Sequence, residues 1–185
     1  MTQAIQEILD LYLDSGSEQY FGEAVTKTQH AEQCAWHAEQ AGADEELILA
    51  ALLHDIGHLL DVPEARRDER IGVINHDELG ERWLLDRGFP PRLAALVGGH
   101  VDAKRYLTAT NPGYFQQLSP ASVETLALQG GPMAPGETAD FVESPHLRDI
   151  LRLRSWDEMA KNPAWEGPGF AGYAGRLERQ LRPPR

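Results

Sequence analysis

Apolar residues recur along this chain at three- and four-residue intervals, and the strict alternation of a half-buried strand is nearly absent. Ile5, Ile8, Leu9, Leu11 and Tyr12 share one helical face, which ends at Ser15-Gly16-Ser17. Residues 17–25 read as a loop. Thr26 with Gln29 three positions later has the form of a capping box, so the spacing predicts a helix through about Gln40, closed by Gly42. Asp44 is placed to cap the next helix, which carries Leu47, Ile48, Ala50, Ala51, Leu52, Leu53 and His54. That segment is apolar almost all round, which assigns it to the centre of the fold.

Residues 61–72 (DVPEARRDERIG) are polar, contain a proline and read as a surface loop. Asn75 with Glu78 has the form of a second capping box, for a helix ending near Gly88. Pro90-Pro91 opens another, running through His100 toward Thr108 with a bend at Gly98-Gly99, and Asn111-Pro112-Gly113 stops it. Ser119-Pro120 starts a helix that ends at Gly130-Gly131-Pro132, and Ser144-Pro145 starts the one carrying Trp156 and Asp157. From Asn162 the chain is rich in Gly, Pro and aromatics, and reads as irregular apart from a short helix near Arg176 to Leu181. The expectation is an all-α bundle of about seven helices. It has no obvious internal boundary: one domain over 1–185, with an irregular tail from 162.

Composition narrows the function. Among 185 residues, 29 are acidic and 17 basic, for a formal charge of −12. There is no basic surplus to displace counterions from a nucleic-acid backbone or to dock on anionic lipid. The longest apolar run, Leu47 to Leu53, is seven residues, against the ~20 of a spanning helix. Met1 to Asp10 has neither the basic start nor the apolar stretch of a signal peptide. With Cys34 as the one cysteine, an internal disulfide is excluded. The expected setting is cytoplasmic, with a small-molecule ligand, no nucleic acid and no membrane.

Against that acidity the seven histidines stand out. His54-Asp55-Ile56-Gly57-His58 closes the most apolar helix. Neighbouring residues point to different helical faces unless the helix ends there, and Gly57 is where it can end. At such an end an imidazole nitrogen and a carboxylate oxygen converge on one cation, and a carboxylate with two oxygens can bridge two. An isolated His-Asp pair reads first as a polar helix end, but this one is not isolated. His30 lies mid-helix, His76 follows the Asn75 cap, His100 follows a glycine pair and Asp157 sits in the last long helix. Cys34 and His37 share a helical face with His30; with no fourth ligand apparent, Cys34 reads as a small core residue and His37 as surface or packing. His146 reads as exposed. Lys104, four residues after His100, lies on the same helical face.

The ordered pattern His…His-Asp…His…His…Asp resembles the two-metal form of the HD-domain superfamily. The resemblance implies that His30, His54, Asp55 and Asp157 hold one metal, and that Asp55, His76 and His100 hold the other. Most two-metal HD proteins are phosphohydrolases, while a smaller branch holds two irons and uses dioxygen. The chain resembles the phosphonate-cleaving oxygenases of that branch over nearly its whole length. The loop Tyr20-Phe21-Gly22-Glu23-Ala24-Val25-Thr26 is similar to their tyrosine–glutamate lid. Similar blocks follow at 54–58, at Gly99 to Tyr106, at Leu118-Ser119-Pro120-Ala121-Ser122, at Leu128 to Met133 and at Arg154-Ser155-Trp156-Asp157.

What this implies is an Fe(II)/Fe(III) pair with dioxygen as co-substrate. The reaction it implies cleaves the C–P bond of a 1-hydroxy-2-aminoalkylphosphonate, or its N-trimethyl analogue, to phosphate and glycine or glycine betaine. By matching position, His58, Lys104, Ser122 and Arg154 are expected on the phosphonate oxygens and Glu23 on the substrate ammonium. Tyr20 is expected to occupy an iron position until substrate displaces it. The alternatives are a metal-dependent HD phosphohydrolase acting on a nucleotide or phosphomonoester, and a degenerate HD domain serving as an interaction module.

Overall fold

Every residue from Leu47 to Leu53 is buried in the computed structural model, and the rest of the chain is wrapped around that segment. The structure describes residues 1–181. Helix α1 (Gln3–Ser15) buries Ile5, Ile8 and Tyr12. Helix α2 (Lys27–Gln40) starts at the expected capping box, with the Thr26 hydroxyl accepting from Gln29 N and the Gln29 side chain accepting from Thr26 N. Asp44 caps α3 (Glu45–Leu53) by accepting from Leu47 N. Helix α3 ends at His54, and Ile56–Leu59 forms a single 3₁₀ turn.

The polar loop after residue 61 carries a minimal antiparallel pair, β1 (Arg67–Asp68) with β2 (Gly72–Val73), where only irregular chain was expected. Helix α4 (His76–Asp86) follows, but the capping box expected at its start does not form. Asn75 is buried with its amide turned the other way, Oδ1 accepting from Arg66 N and Nδ2 donating to Glu64 O, so it pins the hairpin loop. The next predicted helix is two, α5 (Pro91–Gly98) and α6 (His100–Thr110), broken at Gly99. Asn111 ends α6 and immediately caps a short α7 (Pro112–Phe115), where a plain stop was expected.

Helix α8 (Pro120–Leu128) is capped by Ser119 as predicted. Helix α9 (Pro135–Val142) was not predicted; none of its residues is fully buried and Phe141 packs only partly against the core, so its apolar stripe is too short to reveal it. Helix α10 (Leu147–Met159) starts three residues later than Ser144, whose hydroxyl instead accepts from His146 N; His146 is half-buried rather than exposed. In the tail the expected short helix forms as α11 (Ala174–Gln180), preceded by an unexpected 3₁₀ turn at Phe170–Tyr173, and residues 182–185 lie outside the described residues. Phe170 stacks on Tyr12 with ring centroids 3.7 Å apart, and the Tyr12 hydroxyl donates to Leu52 O.

Eleven α-helices among the described residues, where about seven were expected, leave the fold class unchanged at all-α. Helix α2 packs on α3 and α10, α4 on α5, and α10 crosses α6, so α2, α3, α4, α6 and α10 converge beneath the 17–25 loop. No helix is long and apolar enough to cross a membrane among the described residues.

Candidate metal centre and substrate pocket

His54 sits where α3 stops, and the tight turn that follows depends on Gly57. A Cβ there would lie 1.9 Å from the carbonyl oxygen of His76, so only glycine lets α4 approach this closely. That approach sets His76 beside Asp55. His30 comes from the second turn of α2, His100 from the first residue of α6, and Asp157 from the end of α10. All six residues predicted to converge do so, and all are buried.

The Asp55 carboxylate divides this group in two. Its Oδ2 lies 3.3 Å from His54 Nε2 and 3.6 Å from His30 Nε2, and His30 Nε2 lies 3.2 Å from Asp157 Oδ1. Its Oδ1 lies 3.3 Å from His76 Nε2 and 3.5 Å from His100 Nε2. Three imidazoles are fixed from behind, with Nδ1 donating to a backbone carbonyl: His30 to Ala160 at 2.9 Å, His54 to Ala51 at 2.8 Å and His100 to Val97 at 2.7 Å. An imidazole that donates through Nδ1 turns a lone pair inward at Nε2.

The ring nitrogens meet in pairs, His30 with His54 at 3.2 Å and His76, whose Nδ1 has no partner behind it, with His100 at 2.9 Å. Ring nitrogens at such separations, beside buried carboxylates, are placed to share a cation, a proton or a metal ion. Asp55 Oδ2 has no hydrogen-bond partner. The donor set of imidazole nitrogens and carboxylate oxygens suits iron, zinc or manganese, and the arrangement therefore fits two metal ions.

Electrostatics agree with this demand for positive charge. Burial alone would lower the His54 pKa, but the adjacent Asp55 charge outweighs it and pushes it up to about 9. Asp55 and Asp157 are held well below the ordinary carboxylate range: burial opposes the shift, and it is overcome by His54 at Asp55 and by Arg154 at Asp157. Cys34 borders the site with Sγ 3.8 Å from His30 Nε2. Burial, reinforced by Asp157 and Asp55, raises its thiol pKa well above the usual value, so without a metal it is a protonated core residue.

A cavity of about 50 Å³ lies over the centre, bordered by Tyr20, Glu23, His58, Lys104, Ser122 and Arg154, all six of the residues expected to meet substrate. Tyr20 stacks on His30 with centroids 4.2 Å apart, and burial and then the Asp55 charge raise its hydroxyl pKa. Gly22 turns the lid loop at φ +67°, where its Cα passes so close to α8 that a Cβ would stand 2.8 Å from Ala121 Cβ. His58 stacks on His76 at 3.8 Å; burial and then His76 lower its pKa well below the usual value, so it is a neutral hydrogen-bonding group and not a cation.

Residues that the sequence did not single out line the pocket or brace the side chains that do. Thr125 accepts from Lys104 Nζ at 2.8 Å. Tyr114 and Glu158 each accept from Arg154 Nε at 2.9 Å, while Arg154 Nη1 is bonded to Asp157. Lys161 reaches in from beyond α10 to Glu23. Glu158 was findable, because it stands four residues after Arg154 on one helix. Nothing local marks Thr125, Tyr114 or Lys161.

The HD-domain family model matches residues 28–129. The glycine-betaine-forming 1-hydroxy-2-(trimethylamino)ethylphosphonate dioxygenase of Leisingera caerulea is 40% identical over 173 residues, spanning 90% of this chain and 84% of that protein. The hydroxymethylphosphonate dioxygenase of Gimesia maris is 36% identical over 191 residues, spanning 97% and 89%. An uncharacterised protein of Acanthamoeba polyphaga mimivirus is also 36% identical, over 86% of this chain and 73% of its own length. On these matches the chain belongs to the HD-domain family, in the group that includes the phosphonate dioxygenases.

Proposed function

We propose that this protein is a diiron oxygenase that uses dioxygen to cleave the C–P bond of a 1-hydroxy-2-aminoalkylphosphonate or its N-trimethyl analogue. The observation that carries this reading is the division of the Asp55 oxygens between two histidine groups directly beneath a pocket bearing Lys104 and Arg154. His30, His54, Asp55 and Asp157 would hold one iron, and Asp55, His76 and His100 the other. When bound, the pair supplies the redox chemistry by which dioxygen oxidises the hydroxyl-bearing carbon. The reaction balances as hydroxyphosphonate dianion plus dioxygen giving carboxylate, hydrogenphosphate and one proton.

The protein's own groups orient the substrate and match its charge. Lys104 and the outer nitrogen of Arg154 face the phosphonate oxygens, with His58 and the Ser122 hydroxyl as neutral donors. Arg154 also holds Asp157 in place, so substrate and metal ligand share one guanidinium. Glu23 receives the substrate nitrogen. Tyr20, lying over His30, closes the centre from above and keeps water out until substrate enters.

The test is anaerobic reconstitution with iron, followed by (R)-2-amino-1-hydroxyethylphosphonate or its trimethyl analogue and then dioxygen. Phosphate release matched by dioxygen uptake is the expected result. Release of phosphate from a phosphomonoester without dioxygen, at an equal rate, would assign the protein to the phosphohydrolases instead.

A further inference from the structure

Glu23 already has a cation. Lys161 Nζ donates to Glu23 Oε1 at 2.6 Å, the Ser119 hydroxyl donates to the same oxygen at 2.7 Å, and Lys161 Nζ lies 3.1 Å from Ser119 Oγ. The lysine and glutamate side chains are 25% and 13% exposed, and both border the cavity over the metal centre. We propose that Lys161 is an internal stand-in for the substrate's ammonium group, and that exchange of one cation for the other on Glu23 determines which tails the enzyme accepts. This rests on the substrate class proposed above.

Exchange follows from charge. A partly desolvated carboxylate neutralises one cation, and a second ammonium beside Lys161 would meet like-charge repulsion with little water to screen it.

The backbone around Lys161 is fixed on both sides, by His30 Nδ1 on Ala160 O and by Asn162 N donating to Gln33 Oε1 at 2.8 Å. Only the flexible four-carbon stem has to swing out. A hydroxyphosphonate without a nitrogen leaves the Lys161–Glu23 pair intact. An amine-bearing one replaces it, and its binding is weakened by the ion pair it must break.

The test measures dissociation constants on the iron-loaded protein without dioxygen, for 2-amino-1-hydroxyethylphosphonate, its N-trimethyl analogue and hydroxymethylphosphonate. Lys161→Met frees Glu23, so binding of the two amine-bearing compounds should tighten about three- to tenfold relative to hydroxymethylphosphonate. Lys161→Arg, which grips Glu23 in a bidentate fork, should shift the same ratio the opposite way. A ratio unchanged in both variants, or moved in the reverse directions, overturns the exchange while leaving the substrate class standing. Wild-type protein that binds none of the three compounds overturns both.

Discussion

His76 Nε2 lies 3.3 Å from Oδ1 of Asp55, on the opposite side of that carboxylate from His54, whose Nε2 lies 3.3 Å from Oδ2. One aspartate therefore serves two histidine groups, and damage to either group should be separable. His76→Ala or His100→Ala removes donors on the Oδ1 side alone, and such proteins should keep about one iron per chain where the wild type holds about two. Asp55→Ala touches both and should hold less than one. Metal analysis after desalting measures this. Two irons retained by His100→Ala would refute the division.

Lys104 should impose a pH limit on substrate capture. Burial, and secondarily the Arg154 charge, push its pKa down to about 7. The neutral lysine cannot pair with a phosphonate dianion, so kcat/KM should fall as pH rises through that value. Bound substrate favours the charged form, so kcat should hold to higher pH. Lys104→Met should lower kcat/KM about 10-fold or more near pH 6, where the wild-type ammonium is charged, and should remove this limb. The substrate's own ionisation is common to both proteins, so the difference between their profiles isolates the lysine.

The same lysine has a stability signature of defined sign. Its folded pKa lies below its unfolded value, so the unfolded chain binds more protons between about pH 7 and pH 10, and stability rises with pH across that window. Below pH 7 both states are protonated and the buried charge is fully unfavourable. Lys104→Met should therefore stabilise the metal-free protein more at pH 6 than at pH 9, read as the shift in urea midpoint. An equal shift at both would place the ammonium in solvent.

What was legible in the sequence was whatever local chemistry dictates. Thr26 with Gln29, Asp44 before Leu47, and Ser119-Pro120 each satisfy their own helix start, and all three form as read. The six residues of the candidate centre were legible because their order and types form one pattern, whatever path the chain takes between them. Asn75 misled because its amide had a choice: the hairpin loop offered it a donor at Arg66 and an acceptor at Glu64, and it left the helix end uncapped. Helix α9 was invisible because none of its residues is fully buried and it offers the core little beyond Phe141. The Lys161–Glu23 pair spans 138 positions and obeys no periodicity, so only the fold could show it.

Cys34 separates packing from ligation at the edge of the site. It is fully buried on α2, one turn after His30, close enough to raise the question of a thiolate ligand. Burial, and then the charges of Asp157 and Asp55 that a thiolate there would face, hold the thiol pKa well above its usual value in the absence of a metal. Cys34→Ala should therefore cost about 1 kcal/mol or somewhat more of stability, from the small cavity it leaves, with iron content equal to the wild type. Loss of one iron per chain in Cys34→Ala, with the fold intact by circular dichroism, would make the sulfur a ligand and redraw the first metal position around His30, Cys34 and His54.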